Sequence, residues 1–170
     1  VDKIANIPVG VAYDASTLVD GYIAKNTNQG SPYAIQFKPD GTRCYMLDYS
    51  DSVVYQYSIT PGLCPNGVGS GIGNDDGPSS SLTGTDSYLR GMAISPDGKN
   101  LFICGSSADR MGHYKLEIPW DVTSTLTFTG NTDITHIDAT PCDFKIYDTP
   151  DGMKLFLMGA NTRKLYSMTL

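Results

Sequence analysis

Short apolar runs alternate with polar corners along this chain, and three of the corners carry one tripeptide: Pro39-Asp40-Gly41, Pro96-Asp97-Gly98 and Pro150-Asp151-Gly152. In each, proline holds φ near about −65°, the aspartate side chain can accept from amides just ahead, and glycine takes the positive φ of a tight reversal. Each corner predicts a hairpin. The run that follows is almost wholly apolar, Cys44 to Leu47, Leu101 to Cys104 or Leu155 to Met158, which predicts a strand buried on both faces. A polar bend comes next ("DYSDS", "GSSADR", "GANTR"), then an alternating segment ("VVYQYSI", "HYKLEI", "KLYSM") in which Tyr57, Tyr114 and Tyr166 align. Alternation predicts a half-exposed strand. One more strand precedes each corner: "YAIQF", "LRGMAI" and "FKIY".

The three segments are copies of one unit. Asp40, Asp97 and Asp151 stand 57 (97 minus 40) and 54 (151 minus 97) residues apart, slightly longer than propeller blade repeats of about 40 to 50 residues. A fourth strand is predicted from "IPWDVTSTLTFTG", where Trp120-Asp121 opens a Thr-rich, β-prone stretch, and four antiparallel strands make one propeller blade. The expected fold is all-β and propeller-like, a single domain over 1–170 with three four-stranded antiparallel blades. Its units span roughly 11–60, 86–130 and 131–170, with a Gly/Ser-rich insertion at 61–85. The third unit has an extra residue before its corner, read as a bulge. Tyr13-Asp14 matches Trp120-Asp121, so the N-terminal segment is expected to follow "KLYSMTL" in space and close the third blade. Propellers have about four to eight blades, so three form a half-ring whose open edges predict completion by a second chain, or a longer polypeptide. A first residue other than methionine reads as a trimmed, processed or partial chain.

Composition narrows the function. The length of 170 residues suits one domain with a sizeable core, and a charged fraction of 18% with 18 glycines and 10 prolines suits strands and turns rather than long helices. A net charge of −6 without a Lys/Arg cluster argues against nucleic acid. No apolar run approaches the roughly 20 residues of a membrane span, so no membrane insertion is expected. Cys44, Cys64, Cys104 and Cys142 lack metal-ligand spacing, and His113 and His136 stand far apart. Cys44 and Cys104 read as buried fillers. The four thiols are expected free, with a Cys64–Cys142 pair as the alternative.

Candidate chemistry is sparse. The segment from Pro61 to Asp86 interrupts the repeat, and Asp75 and Asp76 within it offer hard oxygen ligands, so binding, with Ca2+ as its narrower form, stands beside a passive surface excursion. Asp48 and Asp51 in "DYSD" read as bend caps, with general acid and base work as the alternative. A glycosidase would need two facing carboxylates, and a hydrolase reading would draw on Asp48, Asp51, Asp75 or Asp109. His113 has no G-x-S-x-G serine to serve. Among 11 tyrosines, Tyr33, Tyr49 and Tyr88 sit near bends and off the repeat's regular positions. They are the aromatic candidates for contact with glycan or protein.

"SPYAIQFKPDGTRCYMLDYSDSVVYQYSI" together with "IPWDVTSTLTF" resembles the β-propeller repeats of bacterial surface proteins and of tailed-bacteriophage virion proteins, although "PGLCPNGVGSGIGNDDGPSSSLTGTD" departs from their pattern. The resemblance implies a propeller, a virion or extracellular setting, and no reaction. The expected function is a non-enzymatic structural or binding module that engages protein or glycan through its loops, without a required cofactor, in a homo-oligomer or with other subunits. The alternative is a small extracellular hydrolase of glycan or lactone type. A third reading is a capsid or tail building block that assembles through open sheet edges.

Overall fold

The computed structural model describes residues 3–6, 23–26, 30–59, 72–82 and 84–170. Among them there are strands and turns but no helix, and so no helix long and apolar enough to cross a membrane. The first sheet has the order β3 (Pro32–Phe37), β4 (Arg43–Asp48), β5 (Val53–Ile59) and β6 (Ile72–Pro78); the second has β7 (Leu89–Ile94), β8 (Asn100–Gly105), β9 (Arg110–Leu116) and β10 (Leu126–Asp133). The third holds β11 (Pro141–Thr149), β12 (Gly152–Gly159) and β13 (Lys164–Thr169), and β1 (Lys3–Asn6) pairs with β2 (Ile23–Asn26) in a separate ribbon. All pairings are antiparallel. The first strands β3, β7 and β11 contact one another in that order, so each sheet runs outward from a shared inner edge. This is the arrangement of propeller blades in an open, incomplete ring.

Apolar faces of successive sheets meet at two seams. Tyr45, Leu47 and Val54 of the first sheet pack with Leu89, Met92, Ile94, Leu101, Ile103 and Leu116 of the second. Ala93, Cys104 and Met111 on the second sheet's other face pack with Phe144, Ile146, Leu155 and Leu157 of the third. Each fully buried aliphatic side chain contributes about 1.5–3 kcal/mol. Polar bridges align the first seam: the Gln36 side chain accepts from Ile94 N at 2.8 Å and donates to Ile94 O at 3.2 Å. The Trp120 carbonyl accepts from Arg43 Nη1 and Tyr45 Oη, both at 2.6 Å. Gly98 admits the Trp120 ring, because a Cβ there would lie 2.1 Å from indole Cδ1. The Pro-Asp-Gly and Pro-Trp-Asp corners of the second sheet therefore interlock.

Several expectations need revision. Residues 72–78, read as part of an insertion, form β6 and supply the first sheet's outer strand. The third corner carries no bulge at its extra residue. Its ladder continues unbroken from Asp143↔Met158 to Thr149↔Gly152 around a two-residue turn. That extension shifts the third register: Tyr57 pairs with Cys44 and Tyr114 with Leu101, but Leu155 pairs with Met168, and Tyr166 lies opposite Leu157. The third sheet shows three strands, and Tyr13-Asp14, placed beside β13 in the sequence reading, lies outside the described residues. With no further sheet packed on it among those residues, the third sheet leaves Tyr147 (56%), Met158 (52%) and Leu165 (70%) exposed. Met158 occupies the apolar run read as buried on both faces, and only Leu155 and Leu157 of that run are buried.

The bends between second and third strands share one device. In the second sheet, buried Asp86 accepts from the amides of Tyr88 (2.9 Å), Ser107 (3.0 Å) and Ala108 (2.8 Å). In the third, buried Asp138 accepts from Thr140 N (2.7 Å) and Thr162 N (2.9 Å), and from the Thr162 hydroxyl. Each carboxylate lies against a glycine, Gly105 or Gly159, where a Cβ would come within 2.3 Å of Asp86 Cβ or 2.0 Å of Asp138 Oδ2. In the first sheet the register puts Asp48 at that glycine position. Asp48 serves the bend from the opposite side, accepting from Ser31 N (3.0 Å), Ser50 Oγ (2.6 Å) and Asp51 N (2.9 Å). The last residue of each bend, Ser52, Asp109 or Arg163, has φ of 54°, 49° or 56°, a left-handed conformation that costs a non-glycine residue energy and persists when its surroundings over-determine it.

Two predictions follow from these clamps. Asp86→Ala strands three amides and is expected to lower urea-measured stability by about 3 kcal/mol. Gly105→Asp alone is also destabilising, because two carboxylates would compete for one bend. Asp86→Gly/Gly105→Asp, which removes the Cβ that residue 105 would meet and delivers the carboxylate from the first sheet's side, is expected to recover most of the loss, and a double variant no more stable than Asp86→Gly contradicts the account. The second prediction concerns acid. Burial pushes the Asp48 and Asp138 carboxyls up, but hydroxyl and amide donors outweigh it, leaving both below their ordinary 3.8. A folded value below the unfolded one gives stability that is present above 3.8 and lost as pH falls through it. Melting temperature should drop below about pH 4, and Asp138→Asn should flatten that limb.

Candidate binding site

At the end of the ring where the inner strands begin, each first strand carries a bulge. The registers of β3, β7 and β11 skip one residue, between Pro32 and Ala34, between Leu89 and Gly91, and between Pro141 and Asp143. The skipped residues are Tyr33, Arg90 and Cys142. A bulge frees a side chain from the ladder's alternation and re-aims it. The bends enter at the same end, since Tyr49 N donates to Ser31 O and Ser106 N to Tyr88 O at 3.0 and 2.9 Å.

Bulges and bends together gather the three tyrosines singled out from the sequence. Tyr49 stacks on Tyr88 with centroids 5.1 Å apart and planes at 17°, and Tyr33 meets Tyr49 edge-on at 5.8 Å and 80°. Arg90 lies over the Tyr33 ring with Cζ 4.9 Å from its centroid, a cation–π contact, and its Nε donates to Ser106 Oγ at 3.1 Å. Tyr33 and Tyr88 are each 48% exposed. Buried aspartates hold the cluster from beneath: Asp48 immediately precedes Tyr49, and Asp86 accepts the Tyr88 amide. A hydrogen bond with Tyr88, and then partial burial, push the Tyr49 phenol above its usual value.

The other two candidates lie elsewhere. Asp75 and Asp76 are on β6, three strands out from β3. Asp75 accepts from Gly77 N at 2.9 Å, and Asp76 accepts from Ser58 Oγ (2.8 Å) and Gln56 Nε2 (3.2 Å). Gln56 in turn accepts from Val122 N at 3.1 Å, so Asp76 braces the first seam. Among the described residues no group of three or more His, Cys, Asp or Glu side chains gathers to hold a metal ion, which leaves the calcium idea without a built site there.

The carboxylates of the hydrolytic alternative are mostly committed to structure. Asp48 is spent on its bend, and Asp51 accepts from Tyr55 Oη at 2.8 Å. Asp109 differs: its Oδ1 is buried without a hydrogen-bond partner, and burial first, then Asp86, Asp133 and Asp138, pushes its carboxyl up. His113 stacks on Phe102 at 4.6 Å and bonds to Asn100 and Thr129, a satisfied half-buried position. Cys104 and Cys142 are free thiols and Cys44 is buried; Cys64 lies outside the described residues.

Arg90 and Asp86 are the residues that sequence reasoning missed. The available signal was Asp-x-Tyr-Leu against Asp-x-Thr-Pro, at 86–89 and 138–141, each followed by a glycine at the far end of the next strand.

No protein-family profile matches the chain, and no curated protein does. Solved structures do. The luciferin-regenerating enzyme superposes with a TM-score of 0.62 at 14% identity, over 88% of this chain and 48% of that one. The Cps50 (Swd1) β-propeller domain of Myceliophteria thermophila gives 0.57 at 7% identity, over 87% and 41%. A candidate 6-phosphogluconolactonase of Bacteroides uniformis gives 0.53 at 15%, over 98% and 47%. At these identities the likeness is one of fold, and the chain spans 41–48% of the lengths of these structures.

Proposed function

We infer that this protein is a non-enzymatic binding module of a virion or cell surface, and that it holds glycan or protein at the ring end where Tyr33, Tyr49 and Tyr88 converge. One observation carries this reading: side chains from two sheets form a single half-exposed aromatic cluster on a base of clamped bends. Flat apolar faces with polar tips suit both ligand kinds, and clamping lowers the ordering cost of binding. The resemblance to surface and virion repeats supports the setting. On a glycan array and on intact cells of the host, saturable binding is expected, and Tyr33→Ala/Tyr88→Ala should reduce it about tenfold or more without changing the melting temperature. Binding unaffected by the double substitution would sink this reading.

A second reading, an extracellular hydrolase of glycan or lactone type, has two points in its favour: the fold likeness to a candidate 6-phosphogluconolactonase and the raised, unpartnered carboxyl of Asp109. Against it stands the structural use of Asp48, Asp51 and Asp75, whose carboxylates accept from bend amides, Tyr55 and Gly77. Acid release from a sugar lactone, abolished by Asp109→Asn, would establish it.

The reading includes self-association. Tyr147, Met158 and Leu165 form an exposed apolar face on the third sheet, and among the described residues β13 has a strand partner on one side alone, the pattern of an edge that recruits another chain. Light scattering is expected to give a multiple of 18.3 kDa, with Leu165→Lys shifting the distribution toward the single-chain mass.

A further inference from the structure

We propose that the cluster of Tyr33, Tyr49, Tyr88 and Arg90 is a subsite for a carboxylate-bearing sugar, a hexuronate or similar acidic residue of a glycan; the proposal rests on the binding-module reading and names its ligand. Three features select this class. First, Arg90 forms no ion pair among the described residues, whereas Arg43 pairs with Asp121 and Lys145 with Asp143. Its guanidinium is held in place through Nε and the Tyr33 face, and a pre-set planar fork is suited to bidentate carboxylate capture. In a chain of net charge −6, a half-buried arginine without a carboxylate partner is poised for an external one.

Second, Tyr88 turns one face to Tyr49 and is 48% exposed, so apolar ring surface remains in the cluster for the C–H face of a pyranose ring. Third, the geometry disfavours a nucleotide. A base inserted between Tyr49 and Tyr88 would need about 7 Å between ring planes, and their centroids are 5.1 Å apart. The phenol groups and Ser106 supply hydroxyls that suit the many oxygens of a sugar.

Isothermal titration of the full chain with a short oligogalacturonate, a neutral cello-oligosaccharide and adenosine monophosphate tests this. The acidic oligomer is expected to bind more tightly than the neutral one. Arg90→Gln should cost it about tenfold or more, and Arg90→Lys, which keeps charge but loses the fork, a smaller loss. The loss should be larger for the acidic than for the neutral oligomer, and melting curves of both variants report folding. Equal affinity for acidic and neutral oligomers, tighter binding of the nucleotide, or a folded Arg90→Gln variant that keeps the acidic affinity overturns the proposal while leaving the module reading standing. An absence of saccharide binding of any kind overturns the proposal, and if the array is blank as well, glycan recognition falls with it.

Discussion

A carboxylate sunk into a peptide bend is the constraint on which this architecture rests. The bends between second and third strands must reverse within five residues and end on a left-handed residue that is not glycine. Amides in such a bend point inward onto a buried carboxylate, and orphaned donors are costly. Asp48, Asp86 and Asp138 collect those donors. Each also ties its bend back to the entry of the sheet's innermost strand, through Ser31, Tyr88 or Thr140. Inner edge, bend and left-handed residue are thereby fixed together, and the apolar seams are assembled on strands whose ends are already in register.

The same fixation suits this end to the binding surface proposed for it. Loops supply function when a rigid scaffold positions them, and beside the first two clamps stand the aromatic side chains Tyr49 and Tyr88. The bulges add Tyr33 and Arg90 from the inner strands without disturbing the ladder beyond them. Scaffold and proposed recognition surface lie next to each other: buried aspartate in the clamp, half-exposed tyrosine beside it.

Much of the fold was legible because its signals are local. Pro-Asp-Gly corners, apolar runs and alternating strands each occupy a few consecutive residues, and three copies reinforce the reading. What escaped was non-local or weakly patterned. "IGNDDGP" has the composition of a loop, yet Ile72–Pro78 forms an outer strand with two register shifts, held by backbone pairing and by Asp76. Asp86 and Gly105 act as a pair 19 residues apart (105 minus 86), which no short motif reveals. Tyr33, Tyr49 and Tyr88 stood out because they break the repeat, whereas Arg90 carries no pattern of its own and becomes visible once β3 and β7 lie side by side. Asp75 and Asp76 drew attention through acidity alone, and the sheet uses one of them as a brace.

Each bend has room for one carboxylate, delivered from before the inner strand or from the end of the next. The two sources exclude each other sterically, so a repeat cannot drift gradually from one to the other. It must change both positions, passing through a form with two acids or none. This makes the choice of side an all-or-none difference between repeats: the second and third share one solution and the first uses its mirror.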